Sequence, residues 1–418
     1  MLLSGGDASR LQFPFPKGLF EIQINQKIQT LFSIFCQRLT SLEDQAEALF
    51  GDKLSKEQLQ KKFNERGYSK IHVFLIVSRE FLEMTEKYLE ENNYFGLTTV
   101  DILLTDRSIC SFGQDNQMLL KSKSQILKTS FGNGDLMDFL LNDIRSKMII
   151  QKLNYIHISG IDNVLNRPLD PIFMGFMDDH KLDLVHKIVE KQHPQENVGL
   201  FVREESSQKT KVIEYTIFPP KLKSLTKNNE PDGKLQFRHG NMLNFIIKKN
   251  LVDRFYELAK GKEGQTVDSK VVLSKANFNY RQFQTFDIFK NEVISKEKSN
   301  CIKFERYFLD CFPMVASEKQ GFILTKRIRE FAPIKYINNS LDTPENALNL
   351  LNNFWISEVG KKSECNGEFT DMVLDTVNKI YHCLLCKNVH KMNGKGISGN
   401  FVNDETFYQN LKYNQDLN

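Results

Sequence analysis

Residues 70–92 read KIHVFLIVSREFLEMTEKYLEEN, and they show most clearly the alternation of strand and helix patterns that runs through this chain. Residues 70–77 form a largely apolar run of strand length, and such a run is typical of a strand buried on both faces. Residues 79–92 then place apolar side chains along one face of a helix. A buried strand followed at once by an amphipathic helix predicts one strand–helix unit of a parallel sheet.

The same alternation extends in both directions from this unit. Residues 100–104 and 155–159 are predicted strands, and residues 136–149 are predicted to form a helix that opens just after a glycine-rich turn at 132–134. We therefore predict an α/β fold built on a mostly parallel, doubly wound sheet. Residues 198–203 and 211–217 are strand-like runs separated by a polar link, which predicts a hairpin.

The pattern changes beyond about residue 343. Residues 344–359 and 370–385 are predicted helices, and the tail from residue 393 is rich in Asn and Gly. We place a boundary near residue 341. This divides the chain into a large domain, residues 1–341, and a smaller, partly helical C-terminal region, residues 342–418.

Composition excludes several classes of function. The chain has 418 residues, with 56 basic and 52 acidic side chains and a net charge of +4. This near balance gives no indication of nucleic acid or of an acidic membrane as a partner. No apolar run reaches the roughly 18 residues of a membrane helix. Seven cysteines without a recognisable signal peptide indicate reduced thiols and a cytoplasmic protein.

A glycine-rich loop near the start is a candidate phosphate site. It contains Gly5 and Gly6, and the basic residues Arg10 and Lys17 follow closely. Glycines allow backbone N–H groups to approach phosphate oxygens, and the two basic side chains would add positive charge. The residues alone are equally compatible with an ordinary turn beside a surface arginine.

Asp162 and Asn163 directly follow the predicted strand 155–159. Ligands of parallel sheets bind at the carboxyl ends of strands, so a carboxylate here could hold a hard cation through oxygen. A simple turn would also explain an Asp-Asn pair.

Two other patterns favour a structural role. His72 and His157 lie within apolar strands, where a histidine usually belongs to the core. The Cys383–Cys386 pair lacks the four ligands of a structural zinc site, so a buried helix face is expected there.

Several motifs occur in one fixed order and together resemble the UDP-N-acetylhexosamine and UDP-sugar pyrophosphorylase family. The loop G-G-x-x-S-R followed by P-K-G resembles the signature of sugar nucleotidyltransferases. The later matches, which extend the resemblance to about residue 347, are Leu31 to Ile34, Tyr94 to Leu97, Gly132 to Gly134, Val189 to Lys191 with Val198 and Gly199, Glu214 and Tyr215, Gly240 and Asn241, Ile302 to Glu305 with Asp310, and Phe331 to Lys335.

The resemblance implies a Rossmann-like nucleotidyltransferase that joins UTP and N-acetylglucosamine 1-phosphate and releases pyrophosphate. It implies catalytic roles at phosphate for Arg10, Lys17 and Lys335, and a role for Asp162 in holding Mg²⁺. The residues that it implies for substrate binding are Gly5, Gly6, Gly132, Asn133, Asn163, Gly199, Glu214 and Asn241. A UDP-glucose or broad-specificity pyrophosphorylase, and a relative that binds sugar nucleotides without turnover, remain alternatives.

The chain departs from the family pattern mainly where base and sugar are recognised. Ala8 replaces a loop glycine, residues 103–106 lack the glutamine that reads uracil, residues 130–135 differ from the family's P-D-G-N-G-G, and Tyr307 and Leu309 replace an aromatic pair. We therefore expect looser base selectivity than in typical relatives. Only Met1 to Leu3 precede the glycine loop, so we also expect that the true start lies upstream and that an extended chain is more stable.

Overall fold

The structure is a computed structural model, and it describes residues 1–4, 11–24, 27–51, 71–97, 99–105, 108–110, 112–113, 115, 117–130, 132–226, 233–260, 272, 277–281, 284–295, 300–338, 342–359, 372–375, 380–383 and 389–391. Gly5, Gly6 and Arg10 lie outside these residues. In this part of the chain no helix is both long and apolar enough to span a membrane.

The strands of the described residues are β1 (Leu2–Leu3), β2 (Glu21–Ile24), β3 (Lys27–Thr30), β4 (Val73–Ser78), β5 (Val100–Thr105), β6 (Ser108–Cys110), β7 (Leu120–Ser122), β8 (Gln125–Ile126), β9 (Lys128–Ser130), β10 (Tyr155–Gly160), β11 (Leu184–Glu190), β12 (Leu200–Arg203), β13 (Thr210–Ile213), β14 (His239–Lys248), β15 (Asn277–Arg281), β16 (Gln284–Asp287), β17 (Glu292–Ser295), β18 (Cys301–Glu305), β19 (Gln320–Thr325), β20 (Met372–Asp375), β21 (Ile380–Cys383) and β22 (Val389–Lys391). The α-helices are α1 (Leu31–Gly51), α2 (Leu82–Glu91), α3 (Asp135–Leu141), α4 (Ile144–Ile150), α5 (Pro171–Asp179), α6 (Lys249–Ala259), α7 (Arg327–Glu330) and α8 (Pro344–Val359).

A nine-stranded sheet forms the centre of the fold. Its path runs β13-β12-β14-β10-β1-β4-β5, and β11 pairs with both β14 and β19. The neighbours β10-β1-β4-β5 are parallel, as are β11 and β19, whereas β14 runs antiparallel to β10, β11 and β12. Two parallel blocks are therefore joined by one antiparallel strand, which confirms the predicted mostly parallel α/β sheet.

Strand β4 explains why the apolar run at 70–77 belongs in the middle of this sheet. Phe74 and Ile76 pack into one hydrophobic cluster together with helices α3, α4 and α6. Val73, Leu75 and Val77 point to the other face, where they join side chains of α1 and α2. Because successive side chains of a strand point to opposite faces, a continuously apolar strand requires helices on both sides.

Strand β1 lies in the sheet interior and leads directly into the glycine loop. Leu2 is in register with Leu75 of β4 on one side and with Ser159 of β10 on the other. The Met1 amine donates to the His157 carbonyl at 2.7 Å, and burial lowers the pKa of this amine to about 5. The carboxyl end of β1 thus lies between the carboxyl ends of β4 and β10.

Two helix predictions were wrong. Residues 136–149 are two helices, α3 and α4, because the Asp143 side chain accepts a hydrogen bond from Ser146 N at 2.7 Å and starts a new helix. Residues 370–385 contain the antiparallel strands β20 and β21, with Met372 opposite Cys383. The expected helix face around the Cys383–Cys386 pair is therefore absent at Cys383, while Cys386 lies outside the described residues.

The other predictions of secondary structure are confirmed. The predicted strands at 70–77, 100–104 and 155–159 are β4, β5 and β10, the hairpin is β12–β13, and the helix at 344–359 is α8. His157 is buried as expected, and its ring bonds to the Asn244 side chain at 2.7 Å and to Leu169 N at 3.1 Å. His72 bonds to the Asp101 carboxylate at 2.7 Å.

Candidate active site

A cavity of about 270 Å³ opens beside the carboxyl end of β10. Its walls come from segments that are far apart in the sequence and that the sheet brings together. The lining residues are Asn133, Asp162, Asn163, Asn197, Val198, Gly199, Glu214, Tyr215, Thr216, Asn241, Met242, Leu243, Glu305, Tyr307, Leu309, Phe331, Pro333 and Lys335. Much of this wall is polar, as a site for a sugar or a phosphate requires.

Asp162 forms an ion pair with Lys17 across 3.5 Å. Lys17 begins a short 3-10 turn, Lys17–Leu19, and the turn is fixed because Gly18 packs directly on the Phe32 ring, where a Cβ atom would lie only 2.2 Å from the ring. Burial acts to raise the pKa of the Asp162 carboxyl, but the cations of Lys17 and Lys335 outweigh it, and the pKa lies below its usual value. Asp162 is therefore ionised at neutral pH.

Lys335 is a second cation that acts on the Asp162 carboxylate. Its ammonium is 3.0 Å from the Asp342 carboxylate and 3.5 Å from the Asn197 carbonyl, and one fifth of the side chain is exposed. Burial acts to lower the pKa of Lys335, but the carboxylates of Asp342 and Asp162 outweigh it and raise the pKa. Two lysine cations thus act on one carboxylate at the edge of the cavity.

The segment that carries Lys335 is docked on the segment that carries Asp162. Ile334 N donates to the Asp162 carbonyl at 2.9 Å, and Val164 N donates to the Ala332 carbonyl at 3.3 Å. The Asn163 side chain completes the junction, because its amide donates to the Glu330 carbonyl at 2.6 Å and its oxygen accepts from Ala332 N at 2.8 Å. Asn163 lines the cavity, and its side chain uses these two hydrogen bonds to hold the two segments together.

Gly199, Glu214 and Asn241 form a second wall of the cavity. Asn241 N donates to the Gly199 carbonyl at 2.8 Å, which ties the start of β12 to β14. A Cβ atom on Gly199 would lie 3.1 Å from the Glu214 carboxylate, so the glycine leaves space for that side chain. The Asn241 oxygen accepts from Leu243 N at 3.0 Å, and Asn241 lines the cavity.

Asn133, in the glycine-rich turn at 132–134, lines a third wall of the cavity together with Glu305 at the end of β18 and Tyr307 after it. Gly132 has a φ of +92°, and a Cβ atom there would lie 2.6 Å from the Arg306 carbonyl. The Asn133 oxygen accepts from Phe308 N at 3.0 Å. Next to this contact, the Tyr307 hydroxyl donates to the Glu305 carboxylate at 2.9 Å.

The structure therefore brings most of the predicted site residues together. Asn133, Asp162, Asn163, Gly199, Glu214, Asn241 and Lys335 all line the cavity, and Lys17 reaches it through Asp162. Gly132 lies behind the wall against Arg306, and Gly5, Gly6 and Arg10 lie outside the described residues. Whether these residues bind substrate stays a prediction.

Eleven of the eighteen lining residues were not predicted as site residues, and Asn197, Tyr215, Glu305 and Tyr307 are among them. Glu305 ends the matched stretch Ile302 to Glu305, and Tyr307 is one of the positions that depart from the family pattern. The sequence therefore carried a signal for both residues. Asn197 lies two residues before Gly199, and Tyr215 directly follows Glu214. Tyr215 belongs to the matched motif of Glu214 and Tyr215, whereas Asn197 has no local signature.

Comparison with known proteins identifies the relatives of this chain. The profile of the UTP–glucose-1-phosphate uridylyltransferase family matches residues 1–365. The chain is 27% identical to the UDP-N-acetylglucosamine diphosphorylase 2 of Arabidopsis thaliana over 86% of this chain and 66% of that protein. It is 25% identical to the UDP-N-acetylglucosamine pyrophosphorylase of Saccharomyces cerevisiae over 86% of this chain and 70% of that protein.

The fold also agrees with that of a solved structure. The crystal structure of the uridine diphosphate N-acetylglucosamine pyrophosphorylase from Trypanosoma brucei superimposes with a TM-score of 0.64 at 22% identity, over 84% of this chain and 64% of that one. The chain thus spans about two thirds of the length of these relatives. Because the family profile covers most of its residues, the chain belongs to the UTP–glucose-1-phosphate uridylyltransferase family.

Proposed function

We propose that this chain is a nucleotidyltransferase that joins UTP and N-acetylglucosamine 1-phosphate to give UDP-N-acetylglucosamine and pyrophosphate. The observation that carries the proposal is the convergence of Asp162, Lys335, Glu214 and Asn241 on one cavity. Relatives of the family that are named for UDP-N-acetylglucosamine support this choice of sugar.

The proposed reaction is a direct displacement at phosphorus. A phosphate oxygen of the sugar 1-phosphate attacks the α-phosphorus of UTP, and the bond from that phosphorus to the oxygen bridging the β-phosphate breaks. The electron pair leaves with pyrophosphate, so no covalent intermediate with the protein is needed. The contribution of the protein is then to align the two substrates and to stabilise charge.

Lys335 and Lys17 are the side chains proposed to bind phosphate. Lys335 contacts Asp342 at the cavity edge, and Lys17 contacts Asp162. Each ammonium has hydrogen atoms to donate to a phosphate oxygen while it keeps its carboxylate partner. In the proposal Lys335 neutralises the sugar phosphate, while Lys17, together with Arg10, holds the β- and γ-phosphates.

Asp162 is the residue proposed to hold Mg²⁺. Among the described residues there is no group of three or more His, Cys, Asp or Glu that could form a metal site by itself. A single ionised carboxylate still fits Mg²⁺, which is usually bound by one or two carboxylates together with substrate phosphates and water. Bound there, Mg²⁺ would neutralise part of the phosphate charge.

The sugar hydroxyls are proposed to bind at the second wall of the cavity. Glu214 offers a carboxylate acceptor, and Asn241 offers an amide whose oxygen is already used by Leu243 N, which leaves its N–H groups as donors. The Gly199 backbone allows the sugar to approach closely. Asn133 and Asn163 would border the same space, mainly by holding the surrounding backbone.

The experiment is a coupled assay of pyrophosphate release with UTP, Mg²⁺ and a panel of sugar 1-phosphates. The proposal expects the highest kcat/KM with N-acetylglucosamine 1-phosphate. A preference for glucose 1-phosphate would assign the chain to the other branch of the family. Binding of UTP by calorimetry without turnover of any sugar phosphate would establish a binding protein instead.

A further inference from the structure

Lys187 is a fully buried lysine outside the cavity, and the proposed reaction does not use it. It lies on β11, in register with Ile323 of β19, and 2% of its side chain is exposed. Its ammonium is 2.6 Å from the Asp170 carboxylate and also contacts the Glu330 carboxylate. Burial acts to lower the pKa of Lys187, but the two carboxylates outweigh it and raise the pKa.

Each carboxylate partner terminates one of the two segments that build the proposed phosphate site. Asp170 ends the segment that begins with Asp162, and its side chain caps helix α5 by accepting from Ile172 N at 3.0 Å. Glu330 ends helix α7, immediately before the segment that leads to Lys335. Lys187 therefore joins the far end of one segment to the near end of the other.

The two segments are also joined directly by hydrogen bonds. The Glu330 carbonyl accepts from the Asn163 amide, so one residue bonds to Lys187 through its side chain and to Asn163 through its backbone. Beyond it, Ala332 N, Val164 N and Ile334 N make the hydrogen bonds that cross between the segments. A shift of Glu330 would thus move the backbone that sets the separation of Asp162 and Lys335.

We propose that Lys187 is a positioning residue, which fixes Lys335 relative to Asp162 by holding Glu330 and Asp170 together. It does not line the cavity and would not touch substrate. The significance for catalysis rests on the proposed function, because only that function gives the separation of Asp162 and Lys335 a consequence. A misplacement of about 1 Å in such a site can cost on the order of 10²-fold in rate.

Two conservative variants test the proposal, and each leaves Lys187 with one carboxylate partner. Glu330→Gln leaves a one-to-one pair of Lys187 with Asp170, and Asp170→Asn leaves a one-to-one pair with Glu330 while keeping a side chain able to cap α5. Asp183→Asn is the matched control. Asp183 is a buried carboxylate that precedes β11. It pairs with Arg254 at 3.1 Å and with Asn250 at 3.0 Å, and neither partner belongs to the two segments.

The first measurement is amide hydrogen exchange of Val164, Ala332 and Ile334 without substrate. We expect exchange to accelerate by about tenfold or more in Glu330→Gln and Asp170→Asn, and to stay unchanged in Asp183→Asn at a similar melting temperature. Wild-type exchange rates at these amides in both variants, or equal acceleration in the control, would overturn the proposal. This measurement does not depend on activity, so failure of the proposed function leaves it intact.

The second measurement is turnover at saturating UTP and sugar phosphate. We expect about a tenfold loss of kcat in both variants, which more sugar phosphate does not restore, and a change within about twofold in the control. A folded Glu330→Gln protein with the kcat of the wild type would contradict the positioning role. The absence of turnover in the wild type would instead overturn the proposed function alone.

Discussion

The Lys17 ammonium lies 3.5 Å from the Asp162 carboxylate, although 145 positions separate the two residues in the chain. The pair joins the turn after the glycine loop to the carboxyl end of β10, in the place where a doubly wound sheet binds its ligand. Because about a quarter of the Asp162 side chain remains exposed, the pair faces solvent at the mouth of the site. This relationship makes Lys17 the first residue to test.

Replacing Lys17 with methionine is expected to lower kcat/KM by about 10²–10³-fold, because one fixed charge at the leaving pyrophosphate is lost. Steady-state kinetics at saturating Mg²⁺ measure the effect. Lys87→Met is the control, since Lys87 is three-quarters exposed on α2 and pairs with Glu91 of the same helix. Equal activity of the two variants would remove Lys17 from the mechanism.

Lys335→Met is expected to raise the KM of the sugar phosphate and to lower kcat, because Lys335 is proposed to contact the attacking phosphate. The same change leaves Asp342 without its cation, so melting temperatures must be compared. Addition of Asp342→Asn to Lys335→Met removes that unpaired charge. If the double variant is stable and keeps the wild-type KM for sugar phosphate, Lys335 has no role in binding that substrate.

Gly199→Ala is expected to weaken sugar binding selectively. The new Cβ atom would lie 3.1 Å from the Glu214 carboxylate and 3.3 Å from Val212, which displaces the proposed sugar acceptor. We expect the KM of the sugar phosphate to rise by about tenfold while the KM of UTP changes little. Gly175→Ala is the control, because a Cβ at that helical position would meet no atom within 4 Å from any other part of the described chain, its own helix backbone and its two neighbours apart. An equal rise of both KM values would argue against a sugar site at Glu214.

Stability should fall on acidification because two buried histidines resist protonation. Burial lowers the pKa of His157 and of His186 to about 3. The unfolded chain binds protons near pH 6.5, so between pH 6.5 and 3 it holds more protons than the folded chain and the free energy of unfolding decreases as pH falls. From pH 7 to 5 the loss is about 2 kcal/mol for each histidine.

His186→Phe isolates one of these contributions. Neither ring nitrogen of His186 has a hydrogen-bond partner among the described residues, and the ring lies among Phe201, Phe245, Phe312 and Phe322. A phenylalanine should fit this aromatic cluster and stabilise the fold more at pH 5 than at pH 7. Urea unfolding at both pH values measures the difference. A stability gain that is the same at both would show that His186 does not titrate in this range.

The sequence predicted the architecture well because the strongest signals are periodic. An apolar strand such as β4, followed by an amphipathic helix, has few alternatives to a buried position in a parallel sheet. Residues 136–149 were predicted as one helix because their apolar periodicity continues across the break between α3 and α4. The break comes from the Asp143 side chain, which bonds to Ser146 N and starts a new helix, and hydrophobic periodicity carries no information about such a cap. The strands at 372–383 were mistaken for a helix because short apolar runs fit either period.

The site was predictable in its residues more than in its connections. Glu214, Asn241 and Lys335 could be named from motifs, and the structure places them on one cavity. The motifs did not indicate that the Asn163 side chain bonds to the backbone of Glu330 and Ala332. They also did not indicate that Lys187 contacts the Glu330 carboxylate. Those contacts join residues more than 140 positions apart, and only the folded chain defines them.

The central claim is that the cavity formed by Asp162, Lys335, Glu214 and Asn241 catalyses transfer of a uridylyl group to a sugar phosphate. The most direct test is release of pyrophosphate from UTP and N-acetylglucosamine 1-phosphate, measured for the wild type and for Asp162→Asn. The account predicts Mg²⁺-dependent release by the wild type and a loss of about 10²–10³-fold in the folded variant. Equal rates for the two proteins, or no release by a folded wild type with any sugar 1-phosphate, would contradict it.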